Sequence, residues 1–225
     1  KAAHHVWGRD ENDKAFSTIW LRGRELGRTV TFDLGGTPPS VSVTNPFNDA
    51  GATKQGEEDD TVLEGSVDIT NTFEALADGV RVTHTITSDE IDQVNELWAT
   101  LPVYLKSSNW EHQGDLSDAT IEYYDGAAWQ LMPEDTDSDG IPEIVNTTAL
   151  RIGRDYLDGS GPAYAYIALQ SAQDVRLATQ VKEDPYQTGA RNRSVHIDLH
   201  GNPGTAQALP ASTRLTYTIQ TSDPT

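Results

Sequence analysis

From residue 15 onward the apolar side chains recur at every second position, which is the period of a strand and not of a helix. Ala15, Ser17, Ile19 and Leu21 alternate with Phe16, Thr18 and Trp20, so apolar groups fall on both faces. A strand of that kind is expected between two covering layers. Residues 28–34 alternate with Val30, Phe32 and Leu34 on one face, and Gly35-Gly36 and Pro38-Pro39 then break the chain. Val41 and Val43 mark a short strand over 40–44. Residues 48–60 have no apolar period and carry Glu57, Glu58, Asp59 and Asp60, the composition of a solvated loop.

Residues 61–88 read as a hairpin turning at Asp78-Gly79, with Val67, Ile69 and Phe73 on the first arm. Val80, Val82, His84 and Ile86 form the inner face of the second arm, and Arg81, Thr83, Thr85 and Thr87 the outer one. His84 is therefore expected inside, held by hydrogen bonds. The dense apolar run at 92–106 contains Pro102, which predicts two strand segments bent at the proline. Residues 120–124 and 128–132 form a tight hairpin around Asp125-Gly126. Strands follow over 149–153, over 163–170 with Tyr164 and Tyr166 on one face, and over 175–181, 194–200 and 213–220. The sum is an all-β chain: a single large antiparallel β-sandwich of roughly a dozen strands, treated as one domain over 1–225. Trp20 and Trp98 lie in apolar runs and read as core, while the pattern leaves Trp7 and Trp129 unassigned.

Charge narrows the partners. Sixteen basic and 35 acidic side chains give a net charge of −19. Such a surface repels phosphates and anionic lipid, so neither nucleic acid nor membrane insertion is expected. No apolar run reaches transmembrane length. The absence of cysteine excludes a disulfide scaffold and thiolate metal sites. A start at Lys1 without an initiator methionine is expected of a processed chain or of a piece of a longer secreted protein with other domains.

The segment 80–105, with Val94-Asn95-Glu96-Leu97-Trp98-Ala99-Thr100-Leu101-Pro102-Val103 at its centre, carries a resemblance. So do Tyr124-Asp125-Gly126-Ala127-Ala128-Trp129 and Leu150-Arg151-Ile152-Gly153-Arg154-Asp155-Tyr156. Together they resemble the large β-sandwich that follows the helical toroid in heparinase II/III-like polysaccharide lyases. The resemblance implies a catalytic tyrosine and histidine held mainly by the toroid or its interface. This chain has no toroid, so no catalytic residue is carried over.

Asp135-Thr136-Asp137-Ser138-Asp139-Gly140-Ile141-Pro142-Glu143 follows the opening of a calcium loop, D-x-[DN]-x-[DN]-G. Asp135, Asp137, Asp139, the carbonyl of Ile141 and Glu143 are the expected ligands of a structural calcium ion, with a solvated acidic turn as the alternative. The twelfth position is Asn146 where an EF-hand has glutamate, and Pro142 disfavours a following helix, so the loop is not an EF-hand. Calcium of that kind points to a secreted or cell-surface setting. His196, Asp198 and His200 share one face of a strand, a row suited to zinc or to proton transfer, or to nothing beyond an amphipathic strand's wet side. Trp110 lies among polar residues, and Tyr186 follows Pro185 in a loop. Both are candidates for stacking on sugar rings.

These features predict an extracellular β-sandwich from a polysaccharide-degrading system, structural or carbohydrate-binding, with a glycan as partner. The alternatives are a lyase acting by β-elimination and a self-assembling surface or filament subunit.

Overall fold

A computed structural model describes residues 5–10, 15–17, 29–47, 67–88, 93–103, 120–134, 142–155, 162–182, 190–201 and 205–225. The chain is all-β, with fourteen strands and no helix among the described residues. Every pairing of defined register is antiparallel. The expected all-β, antiparallel class holds, with fourteen strands among the described residues where about a dozen were expected.

The contacts divide into two compact units, residues 5–100 with 198–217 and residues 101–197 with 1–4 and 218–225. In the first, β3 (Thr29–Asp33), β4 (Ser40–Phe47), β5 (Val67–Ala75) and β6 (Gly79–Ser88) form a meander. The register stacks Phe32, Val41, Phe73 and Val82 in one row and Thr31, Ser42, Thr72 and Thr83 in the opposite-facing row. On the apolar face Ile69, Val82, His84 and Ile86 are buried, and burial fades toward β3 at the end of the strand order. Val30, Phe32 and Leu34 share one side of the chain but stand in solvent, Phe32 67% and Leu34 80% exposed. Thr83, read as outward-facing, is buried instead, because β14 (Ser212–Gln220) lies beside β6 and Thr216 shares a hydrogen bond with its hydroxyl at 3.1 Å.

In the same unit β1 (His5–Asp10) pairs with β2 (Ala15–Ser17) and with β7 (Gln93–Val103). Strand β7 runs unbroken through Pro102, which corrects the expected bend. The proline stands one residue from the strand's end, where a missing N–H costs the ladder least. Glu96, Leu97, Trp98, Ala99 and Thr100 are all buried, as a strand covered on both faces requires. The buried Glu96 carboxylate is satisfied on both oxygens: it accepts from the Trp98 indole at 2.7 Å and pairs with Arg9 at 3.1 Å.

The second unit contains β8 (Thr120–Tyr124), β9 (Trp129–Leu131), β10 (Ile144–Asp155) and β11 (Pro162–Lys182), in the order β9-β8-β10-β11. Strand β12 (Ala190–His200) then pairs with β11 over residues 190–197. The two strands expected at 163–170 and 175–181 are one strand. Thr147 faces Gln173 while Ala149 faces Ala168, so β11 spans five residues where β10 spans two. The irregularity falls in the polar stretch Gln170-Ser171-Ala172-Gln173-Asp174, which reads in sequence as a gap between strands.

Candidate functional site

The most developed side-chain cluster lies on one face of β8, β9, β10 and β11. Its position follows from register: Arg151 on β10 stands opposite Glu122 on β8 and opposite Tyr166 on β11. Two residues on, Gly153 stands opposite Tyr164. A β-carbon at Gly153 would collide with the Tyr164 ring, so the absence of a side chain there lets that ring lie against the strand. The hairpin between β8 and β9 supplies Trp129, directly opposite Tyr124.

Arg151 is clamped. Its Nε donates to Glu122 Oε2 at 2.5 Å and its Nη2 to Oε1 at 2.9 Å, a two-pronged pair that fixes the guanidinium plane. The pairing with Glu122 holds the Arg151 pKa above its ordinary value. The guanidinium carbon stands 4.8 Å from the Trp129 ring centre and 4.6 Å from that of Tyr164, within cation–π range of both. Trp129 contacts Tyr124 at 5.5 Å and Tyr166 at 5.9 Å between ring centres, and Tyr164 lies 6.0 Å from Tyr166. All four rings are tilted and half-buried, with part of each surface open to solvent. Bonds from the backbone N–H and hydroxyl of Thr225 hold the exposed Asp223 carboxyl below the usual range.

The β8–β9 turn is built to hold Trp129 in place. Asp125 accepts from the backbone N–H groups of Ala127 and Ala128 at 2.8 Å each, and from Gln130 at 3.0 Å. These bonds, those from Ala128 and Ala127 foremost, depress the Asp125 pKa. Gly126 takes φ +98°, a conformation costly for any residue with a β-carbon.

Trp110, Tyr186, Asp135, Asp137, Asp139 and Ile141 lie outside the described residues. Glu143 is exposed just before β10, and Asn146 is already in that strand, donating to Asp174 at 2.7 Å. His196 has a different environment from an open metal ligand. Arg176 Nε, which can only donate, points at its Nδ1 at 3.3 Å, and Ser194 Oγ lies 3.2 Å from Nε2, so both ring nitrogens are engaged. His200 Nε2 donates to the Ala208 carbonyl at 2.9 Å. Among the described residues no group of three His, Asp or Glu side chains is arranged to hold a metal.

A second cluster sits in the core of the other unit. His84 Nδ1 lies 2.7 Å from Asn71 Oδ1, and Nε2 lies 3.1 Å from the Tyr217 hydroxyl. Asn71 Oδ1 can only accept, so Nδ1 carries the proton and Tyr217 donates to Nε2. His84 is 0% exposed and Tyr217 1%, and burial pushes the tyrosine hydroxyl well above its usual range. The inward histidine is as the alternation predicts.

Sequence reasoning placed Tyr164 and Tyr166 on one face but left Trp129 unassigned and did not single out Arg151, Glu122 or Gly153. A strand-pairing guess joining 120–124 to 150–153 would have brought Glu122 beside Arg151.

The sequence matches no protein-family model and no curated protein. Among solved structures, the chain is similar to a galactose mutarotase-like protein from Lactobacillus casei ATCC 334, at 11% identity and a TM-score of 0.44, over 86% of this chain and 72% of that one. A likeness of that degree carries no argument about activity.

Proposed function

We propose that this chain is a carbohydrate-binding β-sandwich domain of an extracellular polysaccharide-degrading system, and that the face formed by Trp129, Tyr164, Tyr166 and Arg151 is where it meets a glycan. The observation that carries the reading is the row of half-exposed rings held by Gly153 on one side and the Arg151–Glu122 clamp on the other. Sugar rings offer apolar C–H faces that pack on aromatic rings, and hydroxyls that bond to neighbouring polar groups. Rings and polar groups alternate here within a few ångströms. Calcium bound at 135–143 belongs to the same proposal as a staple for the segment between β9 and β10.

A glycan array probed with the chain, with and without calcium, tests this. Retention of a subset of glycans, lost in Trp129→Ala and in Tyr164→Ala, is the expected result. Retention unchanged by both substitutions would remove the face from the account.

The lyase alternative draws no support from the described residues. Its chemistry needs a tyrosine and a histidine that reach the polymer, and His84 with Tyr217 lies sealed in the core. The assembly alternative has one observation in its favour: among the described strands β3 ends the order, with Phe32 in it and Leu34 just after it exposed, a position of the kind other chains pair with. Sedimentation across a concentration series tests it, with a Phe32→Lys variant as the control.

A further inference from the structure

The rings of the aromatic face form a chain of turned planes. Tyr124, Trp129, Tyr166 and Tyr164 follow one another with centres 5.5, 5.9 and 6.0 Å apart, and successive planes are inclined by 56°, 58° and 45° in the same order. The backbone contributes to the turning. Trp129 on β9 and Tyr166 on β11 have β8 and β10 between them, and each strand-to-strand step rotates a sheet by roughly 20–25°. Arg151 contributes as well. Its guanidinium carbon stands over the rings of Trp129 and Tyr164, so the face of each ring turned towards it is taken. Successive rings therefore offer a ligand no shared flat surface.

A glycan meets such a series in one of two physical forms. In a crystalline polysaccharide the chains lie side by side in a rigid, flat layer. That layer can stack on one of these rings but not on the next, because stacking needs the two surfaces nearly parallel. A single chain turns about its glycosidic bonds, and ring centres about 6 Å apart set successive rings against successive sugars. Leu131, 70% exposed and opposite Glu122, extends the apolar track along β9 beyond Trp129. Resting on the glycan reading above, we propose that this face takes several consecutive sugars of a single, unpacked glycan chain and not the surface of a crystalline polymer, with Tyr124 as the residue that extends the site beyond Trp129 and Tyr166.

The experiment offers cellulose, chitin and mannan in two forms, as crystalline particles and as soluble oligosaccharides from the monosaccharide to the hexasaccharide. Oligogalacturonides and oligoalginates join the soluble set. Particle binding is read as depletion of the chain on sedimentation, and oligosaccharide binding by calorimetry. The expected result is binding of at least one soluble series, tightening by about two- to tenfold for each sugar added up to the tetrasaccharide. The crystalline particles should deplete nothing. Tyr124→Ala should flatten the last steps of that gain and leave the disaccharide affinity within about twofold of wild type, since a disaccharide is satisfied by two rings. Equal affinity for short and long oligosaccharides would overturn the inference, as would depletion by the crystalline particles or a length series unchanged in Tyr124→Ala, and each would leave the glycan reading in place. Failure of every form to bind would overturn both. The wild-type length series and the particle assay decide the matter without any variant if Tyr124→Ala does not fold.

Discussion

Tyr217 ties the stability of one unit to pH. In an unfolded chain its hydroxyl ionises near the ordinary value of about 10, whereas in the fold burial holds the proton on to higher pH. Below pH of about 10 both states keep the proton, and the bond to His84 contributes fully. Above it the unfolded chain releases its proton first, so stability falls, by up to about 1.4 kcal/mol per pH unit from this one group. Tyr217→Phe should cost about 1–3 kcal/mol near neutral pH, since a buried histidine nitrogen loses its donor. It should also abolish that part of the alkaline decline. Urea unfolding of both proteins from pH 7 to 11 should therefore give curves that converge as pH rises, and parallel curves would show that Tyr217 is not buried as described. Gly153 makes a second prediction at this scale. Gly153→Ala should displace the Tyr164 ring and cost about 1–3 kcal/mol in overpacking. A crystal structure of the variant with Tyr164 unmoved would contradict that.

Strands were the legible level of this sequence. Alternation located β3, β4, β5, β6 and β8 because each keeps one register over its described pairings. It split β11 because the polar stretch at 170–174, where the register with β10 shifts, interrupts an apolar period that otherwise keeps its parity from Ile167 and Leu169 to Val175 and Leu177. It also could not tell a covered stripe from an open one: Val82 and Ile86 are fully buried, whereas Val30 and Phe32, equally periodic, are exposed. Period reports that a face is apolar, and the neighbouring elements decide whether it is covered. Phe32→Ala should thus change stability by less than about 0.5 kcal/mol. Ile86→Ala should cost about 2–5 kcal/mol. Chemical denaturation of the two variants checks the contrast, and equal losses would place β3 in a core.

At the scale of the whole molecule, the aromatic face was hidden because its members come from separate stretches. Glu122 and Arg151 are 29 positions apart and Trp129 joins them through a turn. Only the pairing of β8 with β10 makes them neighbours. Tyr164 and Tyr166, two apart on one strand, were visible because alternation alone brings them together. The acidic loop at 135–143 makes the complementary case, with a motif plain in sequence whose ligands are mostly beyond the described residues. Calcium should raise the melting temperature of the chain relative to chelator, since three clustered carboxylates repel one another without a cation. Asp137→Ala should erase the difference, and identical melting in calcium and chelator would leave the loop a solvated turn.

The central claim is that the rings around Arg151 bind glycan. The most direct test is calorimetric titration of the best-retained oligosaccharide into the wild-type chain and into a Trp129→Ala, Tyr164→Ala double variant, each shown to melt cooperatively. An aromatic contact contributes about 0.5–1.5 kcal/mol beyond its buried area, so two lost rings predict a fall in affinity of at least about fivefold. A folded double variant that binds as tightly as the wild type would contradict the assignment of this face.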